Sequence, residues 1–173
     1  WLNSDDHFAY VYGYPGGRVG PLNNITRAEV AAIFYRLLRK DIRMESQTTE
    51  NSFDDVPADA WYVTEVSTLA RLGVFVGRTT DVFAPDAPIT REQMAAILYR
   101  YAAYWELDVS AEADLSAYED ASFVSAYAQA AMQWAVANGV INGTSATTLE
   151  PAGTATRAQA ATVLVRFQNS MKS

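Results

Sequence analysis

The stretch Gly77-Arg78-Thr79-Thr80-Asp81-Val82-Phe83-Ala84-Pro85-Asp86-Ala87-Pro88-Ile89-Thr90-Arg91 decides the fold, because its skeleton occurs three times in the 173 residues. From Gly77 to Pro85 is 8 positions and from Pro85 to Thr90 is 5. The same two spacings separate Gly13, Pro21 and Thr26-Arg27, and again Gly143, Pro151 and Thr156-Arg157. Arg27 and Arg91 stand 64 positions apart, and Arg91 and Arg157 stand 66 apart. Such self-similarity marks one supersecondary unit used repeatedly. Val19, Phe83 and Leu149, each two residues before the proline, supply an apolar plug to each loop.

Downstream of each Thr-Arg the apolar residues follow the helical period for one buried face: Val30, Ile33, Phe34, Leu37 and Leu38, then Met94, Ile97, Leu98, Tyr101 and Ala102, then Ala160, Val163, Leu164 and Phe167. Thr26-x-x-Glu29, Thr90-x-x-Gln93 and Thr156-x-x-Gln159 read as capping boxes that start these helices. An earlier helix is expected from about Ala60 to Leu72 and from about Val124 to Asn138, stopped by Gly73 and Gly139. These two repeats open alike, with Phe53-Asp54-Asp55 leading to Trp61 and Tyr118-Glu119-Asp120 leading to Tyr127. Only 12 residues precede Gly13, so the first helix of repeat one is expected to be short or to lie upstream of Trp1, in a longer chain. Glu45–Ser52 and Glu106–Ala117 read as polar linkers or surface loops. The repeats are therefore expected at 1–44, 52–105 and 117–171. One helix-loop-helix unit cannot bury its apolar face alone, so the three are expected to converge in an all-α domain with approximate three-fold symmetry.

Composition narrows the function. Half the residues are hydrophobic and 19% are charged, which is globular rather than disordered. A net charge of −7 argues against nucleic acid and anionic lipid as partners. No apolar run approaches the roughly 20 residues of a membrane span, so no membrane insertion is expected. Cysteine is absent and His7 is the only histidine, which removes thiolate metal sites, a catalytic triad and a histidine-rich metal centre. Asp54-Asp55 are sequence neighbours that need not face one cleft; no enzyme and no cofactor are expected.

The arginines are the anomaly. Arg27, Arg91 and Arg157 each take the first helical position, where the helix dipole disfavours a cation by roughly 0.3–1 kcal/mol. Two compensations remain open: an internal carboxylate such as Asp54, Asp55, Glu119 or Asp120, or an external acidic ligand held by the guanidinium and the free N–H groups of the helix start. Gly77 and Gly143 read as turn formers needing positive φ that also let a ligand touch the backbone. Trp61 and Tyr127 read as half core, each with an exposed edge able to stack on a sugar.

Phe53-Asp54-Asp55-Val56, Trp61-Tyr62, Leu72-Gly73-Val74, Gly77, Phe83-Ala84-Pro85 and Ile89-Thr90-Arg91-Glu92-Gln93 together resemble the S-layer homology family, as do Ile25-Thr26-Arg27-Ala28-Glu29 and the degenerate Ala155-Thr156-Arg157-Ala158-Gln159. The resemblance implies a pseudo-three-fold helical prism around a central three-helix bundle, with grooves between repeats. It implies a bacterial cell-surface location and non-covalent anchoring to a secondary cell-wall polysaccharide, often pyruvylated. The ligand-binding residues it points to here are Arg27, Arg91, Arg157, Gly13, Gly77, Gly143, Trp61, Tyr127, Asp55 and Asp120. The alternative is a module for protein–protein interaction or surface-layer assembly, with other copies as partners. Repeat one lacks the leading aromatic helix and repeat three has Gln159 for Glu, so the grooves are not expected to be equivalent.

Overall fold

A computed structural model of the chain describes residues 13–171. The first helix of repeat one, expected to be short or to lie upstream of Trp1, falls outside the described residues. The described fold is all-α: six α-helices, with isolated bridges and no strand ladder among the described residues. None of these helices is long and apolar enough to cross a membrane. The chain forms two compact units, one from Trp1–Gly20 and Ile25–Pro88, the other from Pro21–Asn24 and Ile89–Ser173.

In the first unit α1 (Arg27–Leu37) packs against α3 (Val63–Arg71), with the short α2 (Lys40–Ser46) beside α3. The expected apolar stripe of α1 is buried, and so are Ala28, Ala31 and Ala32 on its other side. Their small side chains let neighbouring backbone come close, so a helix that reads as one-faced is enclosed nearly all round. Helix α3 is shorter than expected at its start. α2 was not foreseen; its N-cap is Arg39, with no side-chain oxygen to mark a start, and it buries no residue. It therefore takes the first two residues of the expected linker Glu45–Ser52. The rest of that linker is tethered to α3, where Thr48 N–H donates to Thr68 Oγ1 at 3.2 Å and the Asn51 amide donates to Ser67 Oγ at 3.1 Å.

In the second unit α4 (Arg91–Tyr104) packs against α5 (Gln129–Ala137), and α6 (Arg157–Ser170) joins them through rings. Phe167 meets Tyr101 at 6.1 Å and the fully buried Trp134 at 6.2 Å between centroids, both edge-on. The expected helix over 124–138 begins only at Gln129: its start is the short 3₁₀ turn Ala126–Ala128, and another such turn, Ala121–Phe123, precedes it. The segment 106–117 is pinned to α5, with Ala113 N–H donating to Gln133 O at 3.1 Å and Leu115 buried.

The helix stops are as expected. Gly73 and Gly139 adopt φ of 71° and 63°, and Val74 N–H and Val140 N–H reach back to Leu69 O and Ala135 O at 3.0 and 2.8 Å. All three capping boxes form, with Thr26, Thr90 and Thr156 each accepting from the N–H three residues on.

Candidate ligand groove

Each capped helix begins on a loop carbonyl ladder. In the first unit Arg27 N–H donates to Ala87 O at 3.0 Å and Ala28 N–H to Pro85 O at 3.0 Å. In the second, Arg91 and Glu92 N–H donate to Gly153 O and Pro151 O at 2.9 and 3.0 Å, and Arg157 and Ala158 N–H to Asn23 O and Pro21 O at 2.8 and 3.1 Å. With the third N–H taken by the threonine, the helix start offers an anion no free N–H at these positions. The expectation that backbone N–H groups greet the ligand there is corrected: any anion must meet the guanidinium.

Two of the guanidiniums are set identically. Arg27 Nε and Nη2 donate to Phe83 O and Val76 O at 2.8 and 2.9 Å. Arg91 Nε and Nη2 donate to Leu149 O and Asn142 O at 2.7 and 2.5 Å. Loop carbonyls thus offset part of the cation's conflict with the helix dipole. Two of the five N–H groups of Arg91 are used, and no carboxylate pairs with it among the described residues.

What covers the two differs. Arg27 is 4% exposed, with its guanidinium carbon 5.0 Å from the Phe75 ring centre and 4.8 Å from that of Phe83. The corresponding residues over Arg91 are Ile141 and Leu149, and Arg91 is part-exposed. It lines an open groove of about 460 Å³ with Asn142, Gly143, Thr144, Gln159 and Arg166, and no carboxylate is among the lining residues. Burial lowers the pKa of Arg91; Glu150 and Asp120 nearby act against this, and the Arg166 charge acts with it. Arg157 is 4% exposed.

Asp55 and Asp120 hold the loops. Asp55 accepts from Phe83 and Ala84 N–H at 2.8 and 2.7 Å, and Asp120 from Leu149 and Glu150 N–H at the same distances. The second residue of each pair is forced to positive φ, 58° for Ala84 and 50° for Glu150, so each acid clamps a strained turn whose carbonyl then orients an arginine. Burial pushes the Asp120 carboxyl up, but the two N–H groups and the Arg91 charge hold it below the usual carboxylate value.

The glycines act differently from expectation. Gly77, Gly143 and Gly13 are not among the positive-φ residues. They are glycine because a Cβ has no room: at Gly77 it would stand 2.6 Å from the Phe53 ring and 2.7 Å from Val82 O, and at Gly143 2.9 Å from the Tyr118 ring and 2.8 Å from Thr148 O. At Gly13 it would meet Arg18 O at 3.0 Å. Trp61 and Tyr127 are more exposed than half core, at 61% and 54%. Trp61 stands edge-on to Tyr62, while the Tyr127 hydroxyl donates to Glu92 Oε1 at 3.3 Å.

Sequence reasoning passed over two residues. Glu92, 8% exposed, accepts from Ser125 N–H and Oγ at 2.9 and 2.8 Å as well as from Tyr127. The signal was there, since the other two repeats have Ala28 and Ala158 at this position. Arg166 faces the groove from two turns along α6, and only packing reveals it.

The S-layer homology domain pattern matches residues 9–31, 52–95 and 117–161. The Surface-layer 125 kDa protein of Lysinibacillus sphaericus is 37% identical over 90% of this chain and 13% of its own length. The Cellulosome-anchoring protein of Acetivibrio thermocellus is 34% identical over 56% of this chain and 22% of its own. An Endoglucanase of Bacillus sp. (strain KSM-635) is 31% identical over 89% of this chain and 16% of its own. The chain thus spans less than a quarter of these relatives. Three matched segments, carrying the repeat skeleton traced above, show that the chain belongs to the S-layer homology domain family.

Proposed function

We propose that this chain is a non-catalytic anchoring module that holds an acidic, pyruvylated polysaccharide of the cell wall. Family membership places it at the cell surface or cell wall. Names such as surface-layer protein and cellulosome-anchoring protein among its relatives favour attachment as the task, and the endoglucanase relative extends far beyond the matched region. The observation that carries the reading is the groove of the second unit: two arginines and no carboxylate line it, in a chain with 20 acidic and 13 basic residues. A sugar carboxylate fits the unused N–H groups of Arg91.

In this proposal Arg91 meets the carboxylate, and Arg27 and Arg157, each 4% exposed, are its less accessible counterparts at the other two helix starts. Gly13, Gly77 and Gly143 keep the loops tight, Asp55 and Asp120 fix the carbonyls that aim the arginines, and Trp61 and Tyr127 offer ring faces. Repeats bounded at 1–44, 52–105 and 117–171 and arranged as a pseudo-three-fold prism belong to the same proposal, supported by the cap-on-loop pairing that recurs at all three helix starts. The chain's negative charge opposes a polyanion only at long range, since salt screens beyond about 8 Å. Sedimentation with protein-free cell-wall sacculi tests the reading. Retention that disappears once the polysaccharide is stripped is expected; retention only on protein-bearing envelopes would replace it with a protein receptor or other surface-layer copies.

A further inference from the structure

We infer that Arg166 is a second anion-binding residue of the Arg91 groove, so that the bound glycan segment presents two negative groups there. The inference rests on the anchoring reading and deepens it. Gln159, Thr162, Val163 and Arg166 of α6 share one wall of the groove, and Arg91 with Asn142, Gly143 and Thr144 forms another. Arg166 is exposed and has no hydrogen bond or ion pair among the described residues.

The other repeats use this position inwardly. Counting nine residues from each Thr-Arg arginine gives Arg36, Arg100 and Arg166. Arg36 lies near the buried-side Glu65, whose pKa burial raises and Arg36 pulls back. Arg100 is half-buried near Tyr127. In repeat three the guanidinium lines an open groove together with another cation, Arg91. Two like charges lining one cavity repel; Glu150 and Asp120 offset part of the Arg91 charge from outside the groove lining, and a ligand anion beside Arg166 relieves the remainder. Gln159 adds an amide: its Oε1 accepts from Thr156 N–H at 2.9 Å, which leaves its Nε2 to donate to a sugar oxygen.

The test is binding to protein-free sacculi at several salt concentrations, with wild type, Arg166→Ala, Arg91→Ala and Arg71→Ala, the last removing an exposed arginine on α3 of the first unit. Arg166→Ala is expected to weaken binding about tenfold, as the loss of a charged hydrogen bond does, and to reduce its salt dependence. Arg71→Ala is expected to bind as wild type. Circular dichroism checks that each variant is folded, and Arg166→Lys, keeping the charge, is expected to recover most of the affinity. Binding of Arg166→Ala within twofold of wild type, an unchanged salt dependence, or an equal loss in Arg71→Ala would overturn the inference. Failure of wild type itself to bind sacculi would instead overturn the anchoring reading, and this inference with it.

Discussion

Replacing Asp120 by alanine tests the chain of causes from loop to site. The carboxylate takes two N–H groups, from Leu149 at 2.8 Å and Glu150 at 2.7 Å, and Leu149 O in turn accepts from Arg91 Nε at 2.7 Å. A hydrogen bond to a charged group contributes about 1.5–3 kcal/mol. The Leu149 bond is part-buried and should approach that range, whereas water can replace the acid at the exposed Glu150, which discounts the second. The expected loss is about 2–3 kcal/mol in urea unfolding at neutral pH, with an unchanged m-value. Because the folded pKa of Asp120 is depressed, its contribution is present above the unfolded carboxylate value and fades as pH falls through the folded one. The gap between wild type and Asp120→Ala should therefore narrow in acid. Glu150→Gly in the same background should return about 0.5–1 kcal/mol by relieving the positive φ. A loss below about 0.5 kcal/mol, or one independent of pH, would refute the clamp.

Gly143→Ala should cost about 1–3 kcal/mol, because its Cβ would press on Tyr118 and on loop carbonyls; thermal unfolding reads this directly. Glu65→Gln should be more stable than wild type at neutral pH. Burial raises the Glu65 pKa and leaves its Oε2 without a partner, so wild type gains stability as pH falls through that raised value and the difference should close in acid. Equal stability of the two proteins across the pH range would exclude a buried charged Glu65.

The sequence by itself determined the repeats, the starts of the three capped helices, and the glycine stops of the two helices that precede the loops of repeats two and three. Each rests on interactions within a few residues: a threonine oxygen reaches its own third N–H, and a glycine adopts positive φ where a side chain would be strained. It also placed Arg91 and Gly143, which meet in one groove. Only the tertiary structure decided what surrounds them. Whether a guanidinium is closed between Phe75 and Phe83 or left open beside Ile141 depends on contacts across 48 to 56 positions, which no local pattern encodes. The need for glycine at Gly77 and Gly143 is partly local, since a Cβ would meet the carbonyls of Thr79 and Ser145 in the same loop, and partly tertiary, since the Phe53 and Tyr118 rings that also exclude it come from more than 20 positions away. Arg166 became a candidate for the same reason: helix periodicity says only that it lies off the buried stripe, while packing says which cavity it faces.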